Sequence, residues 1–187
     1  MPEPSGPGGV LGRMGDQLGE MGTGLYSFLW CLVLILVLGM IGIARKEPWV
    51  FPSLGPTLML FFETPTSRPA TPKDAAVGHL IGIIVGAACL RGFGFVGHPP
   101  ATVEGLTYGR ILAAGLSLGA TALTLRLLRS PHPPAGATTL IVSLGVLQTV
   151  TQLRTMILAV LVAAVLGWSI NQVLGVRHPL VPVDSSG

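Results

Sequence analysis

Two short stretches carry the residue types that could bind a ligand. "PSLGPT", from Pro52 to Thr57, and "PPAGAT", from Pro133 to Thr138, share the spacing P-x-x-G-x-T, and the second is preceded by His132. Proline is tolerated in the first turn of a helix, where its missing N–H has no intrahelical partner anyway. Both stretches therefore read as helix N-termini inside apolar sequence, presenting N–H donors and the positive end of a helix dipole to an anion. Gly55 and Gly136 permit close backbone approach, and Thr57, Thr138 and Thr139 add hydroxyl donors, which also suit capping of their own helices.

Around these motifs stand four further candidates. His132, with an ordinary pKa near 6.5, suits donation to an anion or uptake of a proton. His79 lies inside an apolar run, where a polar side chain is a functional candidate or an interhelical hydrogen bonder. Lys73 and Arg154 stand at the starts of two apolar runs, placed either to meet substrate or to reach headgroups. No acidic residue falls between Glu104 and Asp184, whereas Arg110, Arg126, Arg129, Arg154 and Arg177 do. That asymmetry favours an anionic ligand over a cation. The closely spaced His and carboxylate clusters of metal hydrolases are missing, and no G-x-S-x-G elbow occurs. No enzyme activity, metal, cofactor or nucleic-acid partner is expected.

The elements that must position these residues are membrane helices. Half of the 187 residues are hydrophobic, 10% are charged, and the mean hydropathy is +0.70. Such a chain is an integral membrane protein in contact with a lipid bilayer. Four apolar runs approach the roughly 20 residues needed to cross hydrocarbon: Gly24 to Ile43, Ala75 to Phe95, Thr107 to Leu128 and Thr155 to Leu174. Each successive pair brackets one Pro/Gly-broken segment. Non-helical backbone cannot face lipid, so segments of this kind face protein or a wet cavity. The expected fold is all-α, with four transmembrane helices plus two broken half-helix segments. Residues 24–176 form the membrane domain, between a flexible tail over 1–23 and a second tail over 177–187.

An offset of 81 positions aligns Pro52 with Pro133, Gly55 with Gly136, Thr57 with Thr138, Arg45 with Arg126 and Lys73 with Arg154, which suggests an internal duplication. The shortness of the first broken segment favours a dip into the membrane and back. Seven of the eleven Lys and Arg lie in the connections holding the broken segments, so on this topology those connections face the cytoplasm. Gly78, Gly82 and Gly86, and again Gly115 and Gly119, make flat helix faces suited to close packing within the chain or in a homo-oligomer. Cys31 and Cys89 sit in apolar runs and read as small hydrophobes.

At "SPHPPAGATTLIV" and at "PWVFPSLGPTLMLFFETPTSRPATPKDAAVGHLIG" the chain resembles the HPP family of integral membrane proteins, named for the triplet found here at His132, Pro133 and Pro134. The resemblance runs from about Tyr26 to Gly175. It implies a four-helix membrane domain and, for some members, nitrite transport. Carried over residue by residue, it marks His132, Pro133, Pro134 and Gly136, with Pro52, Gly55 and Pro56 from the earlier motif. The expected function is a multi-pass transporter or channel for a small monovalent anion in a bacterial inner (plasma) membrane, with nitrite or nitrate first. A non-transporting subunit that docks a partner membrane protein is the alternative, ahead of a membrane-embedded enzyme.

Overall fold

The computed structural model describes residues 6–181. The described chain is entirely helical outside its turns: α1 Gly9–Leu18, α2 Glu20–Arg45, α3 Leu54–Glu63, a short 3-10 turn Arg68–Ala70, α4 Pro72–Gly92, α5 Ala101–Glu104, α6 Tyr108–Leu127, α7 Pro134–Ser143 and α8 Val150–Val173. Of these, α2, α4, α6 and α8 are long and apolar enough to cross a membrane. Apolar side chains such as Phe28, Leu36, Met40 and Ile43 on α2 point outward, while Leu34 and Leu38 on the same helix are buried. Only a bilayer makes that outward face favourable, since water would penalise it by about 25 cal/mol per Å².

Both described termini sit at one end of the bundle, the near end, where the Arg177 amide donates to the Pro7 carbonyl at 2.7 Å. From there α2 runs to the far end. The first broken segment then runs back along α8. At its start Glu47 accepts from Thr155 Oγ1 at 2.9 Å, and near its finish the Phe61 carbonyl accepts from Asn171 at 2.8 Å. Thr155 and Asn171 are sixteen residues apart in one helix, about 24 Å at 1.5 Å per residue. The segment thus traverses the bundle, partly as non-helical chain and partly as α3. Contrary to the expectation from its length, it does not dip and return.

The second broken segment does the same in the opposite sense. His132 packs on Gly78 near the start of α4, and Gly145 packs on Leu90 near its end. Gln148 then receives the Gly97 amide just beyond α4. The chain therefore makes six passages, four as long helices and two as broken ones. Residues 20–92 enter from the near end and 108–173 from the far end, so the two units are inverted relative to one another. Long helix, ten-residue helix, long helix recurs in each. In both units the first long helix packs on its own short helix, and the second long helix packs on the short helix of the other unit.

This path also redistributes the charges. Arg13, Arg68, Lys73, Arg126, Arg129 and Arg177 lie toward the near end, and Arg45, Lys46, Arg91, Arg110 and Arg154 toward the far end. Six cations against five give no bias, so the cytoplasmic assignment of the connections falls with the dipping topology on which it depended.

Two other sequence expectations change. The stretch read as a flexible tail over 1–23 forms α1 and the start of α2 in its described part, with Leu11 buried and the Val10 amide donating to the Leu174 carbonyl at 3.0 Å; residues 1–5 lie outside the described residues. The second tail begins as an ordered strap. His178 is buried, its Nε2–H donating to the Ala70 carbonyl at 2.7 Å and its Nδ1 accepting from Asn171 at 2.9 Å; residues 182–187 lie outside the described residues. Burial pushes the His178 imidazole below its ordinary pKa, against the opposing effect of its hydrogen bond to Ala70.

Candidate functional site

The site forms where α3 and α7 pass each other beside α4. The Gly78, Gly82 and Gly86 stripe is the reason α7 comes so near. A Cβ on Gly82 would stand 2.8 Å from the Ala135 carbonyl oxygen, and one on Gly86 would stand 2.8 Å from the Thr139 carbonyl oxygen. Close approach of this kind requires glycine. Gly115 and Gly119 on α6 differ, since a Cβ on either would meet open space. One glycine face is therefore used inside the chain, and the other is free of intrachain contact.

The close approach delivers His132 and Thr138 to His79. His79 Nδ1 lies 2.6 Å from Thr138 Oγ1, and His79 Nε2 lies 2.9 Å from Thr57 Oγ1. The equivalent threonines of the two P-x-x-G-x-T motifs thus hold the two nitrogens of one imidazole. His132 Nε2 completes a triangle, 3.2 Å from Thr57 Oγ1 and 3.3 Å from His79 Nε2, with the two rings edge to face. His132 Nδ1 lies 2.8 Å from the Pro69 carbonyl. All four side chains are buried. Because a carbonyl can only accept, the Pro69 contact fixes His132 Nδ1 as the protonated nitrogen of the neutral ring and leaves Nε2 as an acceptor.

Thr139, beside Thr138 on α7, donates to the Ala135 carbonyl at 3.0 Å and contacts Thr121 of α6 at 2.9 Å. Thr121 and His132 share the lining of a cavity of about 300 Å³ with Leu118, Arg126, Pro133 and Gly136. A second cavity, also about 300 Å³, adjoins it through Leu125, Arg126 and Pro131 and is rimmed by Arg68 and Arg129. The near end thus carries a basic vestibule whose inner wall is His132. On the opposite side of α7, Pro133, Pro134 and Ala137 face Pro56, Met59 and Glu63 across another cavity.

The remaining sequence candidates fall elsewhere. Lys73 and Arg154 are exposed at opposite ends of the bundle, and neither side chain touches the cluster. Their alignment in the 81-residue repeat has no structural counterpart, because the equivalent helix caps are Thr71 and Thr149, 78 positions apart. Pro52 is exposed and Gly55 half-buried, with nothing near a Cβ built there. The amides of Ala135 and Gly136 are occupied by the carbonyls of His132 and Pro133 at 3.0 and 2.9 Å. The start of α7 therefore offers side chains more than free amides.

Three contributors escaped the sequence reading. Thr121 sits in a run with no motif. Pro69 acts through its carbonyl, which no side-chain pattern reports. Asp74 was placed in a connection, yet it is fully buried in the first turn of α4, where its amide donates to the Thr71 hydroxyl and Arg68 Nε lies 3.9 Å from its carboxylate. Arg68 also donates to the Arg129 carbonyl and so ties the start of α4 to the end of α6 above His132. Among the described residues no group of three His, Cys, Asp or Glu is placed to hold a metal ion.

A six-passage helical bundle with two broken passages crossing at a buried polar cluster defines a polytopic membrane protein. The family model of the HPP transmembrane region matches residues 17–179, and the chain belongs to that family. A transmembrane protein of Dictyostelium discoideum is 27% identical over 135 residues, covering 72% of this chain and 40% of the relative. The chain thus spans well under half the length of that relative. No solved structure matches.

Proposed function

We propose that the protein is a transporter for a small monovalent anion, with nitrite and nitrate the first candidates, and that it does no covalent chemistry. The observation that carries this reading is the meeting of two inverted, broken passages at one imidazole, His79, held on both nitrogens by Thr57 and Thr138. Broken helices at membrane depth are costly unless they line protein or a cavity, and substrate sites of transporters lie at such crossings between repeats. Arg126 and Arg129 at the vestibule concentrate anions at its mouth. The adjoining cavity of about 300 Å³ is largely apolar, with Arg126, His132 and Thr121 the polar residues in its lining. The inverted units and the shared P-x-x-G-x-T motif support descent by duplication. A bacterial plasma membrane is the expected setting.

Nitrite uptake into proteoliposomes containing the purified chain tests the reading. Gly136→Leu fills the cavity beside Leu118, whose Cδ1 already lies 3.1 Å from a Cβ built at Gly136. The variant is expected to abolish flux while remaining folded, and Arg126→Gln to reduce it. Absence of nitrite and nitrate flux in the parent chain refutes the reading.

A further inference from the structure

We infer that the His79 and His132 pair is a binding site for one proton, which travels with the anion, so that transport is electroneutral proton symport. This rests on the anion-transport reading above and specifies its coupling.

The inference follows from counting hydrogens. In the neutral cluster His132 Nδ1–H is committed to the Pro69 carbonyl, so its Nε2 needs a donor. Thr57 Oγ1 has one hydrogen and lies near three acceptor positions: the Ser53 carbonyl at 3.1 Å, His79 Nε2 and His132 Nε2. If His79 carried its hydrogen on Nδ1, two bare Nε2 lone pairs would face each other at 3.3 Å with that single hydroxyl between them. His79 therefore carries it on Nε2, and Nδ1 accepts from Thr138. One added proton enters His79 Nδ1 without moving a heavy atom: Thr138 turns its hydroxyl to accept, giving up its own donation to the ring, and Nε2–H still points at His132. A second would set two N–H groups against each other and place two like charges side by side. The pair holds one proton and no more.

The charges around the pair make that proton depend on an anion. From α4 the nearest are Lys73, which is exposed, and Asp74, which faces Arg68; from the preceding connection, Arg68 itself; from α3, Glu63; from α6, Arg126; and from the turn after α6, Arg129. The described part of α7 contributes none, and α8 carries only Arg154 near its far-end start. No carboxylate hydrogen-bonds either imidazole among the described residues. A buried cation without a partner is strongly disfavoured. An anion in the cavity that His132 shares with Arg126 would supply that partner through its charge, across the His132 ring and without a direct hydrogen bond to His79, so anion and proton bind together.

The test uses the full chain. In weakly buffered detergent solution, sodium nitrite is added while a pH dye follows proton uptake; one proton per nitrite bound is expected, and none in His79→Gln or His132→Gln. In proteoliposomes, nitrite should accumulate roughly tenfold per pH unit of imposed gradient and be unmoved by a potassium–valinomycin potential. Flux down a nitrite gradient without proton uptake, or flux driven by the potential, overturns the proton site and leaves anion transport standing. No flux of nitrite or nitrate overturns both. One equivalent of transition metal in the purified protein also overturns it, since the three polar atoms would then be ligands. The parent-chain stoichiometry decides the matter even where a histidine variant fails to fold.

Discussion

Replacing Gly82 by alanine tests the contact on which the site is built. The added Cβ would lie 2.8 Å from the Ala135 carbonyl oxygen, 2.9 Å from Thr139 Oγ1 and 3.3 Å from Thr138 Cβ. Two of those neighbours belong to side chains locked in the polar cluster and one to helix backbone, so none is a flexible tip that can swing away. Relief requires α7 to shift by about half an ångström, and overpacking of this kind costs about 1–3 kcal/mol. With a sensitivity of roughly 2–4 °C per kcal/mol for a chain of this size, the apparent melting temperature should fall by about 2–12 °C. The measurement is thermal unfolding in mild detergent, followed through the half-buried thiols Cys31 and Cys89 with a thiol-reactive dye. Gly115→Ala and Gly119→Ala are the comparison, because alanine there meets no atom and improves helix propensity by about 0.5–1 kcal/mol. Their melting temperatures should be unchanged or slightly raised. An unaltered melting temperature in Gly82→Ala alongside a lowered one in Gly115→Ala would refute the assignment of these two glycine faces.

Single cysteines placed at Glu47 and Thr66 should react with a membrane-impermeant maleimide from opposite sides of the bilayer, since the segment between them traverses the bundle; labelling from one side would restore the dipping topology. Lowering the pH should destabilise the fold through His178. Its folded pKa is lowered, so below about pH 6.5 the unfolded chain holds a proton that the folded chain refuses. That stabilisation is present above the ordinary histidine value and is lost as pH falls. The difference in melting temperature between the parent chain and His178→Gln should therefore shrink from pH 7.5 to pH 5.

Much of this architecture is legible in the residues. The run from Gly24 to Ile43 falls within α2, and both P-x-x-G-x-T motifs mark starts of short helices, as proline chemistry requires. What escaped detection is chain that crosses without being helical. Residues 47–53 are outside any helix, and extended backbone advances about 3.3 Å per residue against 1.5 Å in a helix. A length criterion built on helical rise therefore judges this segment too short to cross. The fate of the stretch 6–23 was hidden for a different reason. Its glycines and charges argue against a stable isolated helix, and α1 is held by tertiary contacts, with Gly9 lying against the backbone of Gly175.

Inversion also accounts for the form of the site. Two parallel dips would bring both motifs in from one side, and their threonines would approach an imidazole from the same direction. Antiparallel passage lets Thr57 reach His79 Nε2 while Thr138 reaches Nδ1. The order of long and short helices recurs, yet the polar cluster occurs once among the described residues. Counting 78 positions on from His79, as the Thr71 and Thr149 caps require, leads to Ile157, and counting 81 back from His132 leads to Phe51, which is buried. Hydrocarbon occupies the corresponding positions, so that face packs where its counterpart holds the polar cluster. Under the proposed symport, one imidazole pair per chain sets one proton per anion, the ratio that the proteoliposome gradients measure.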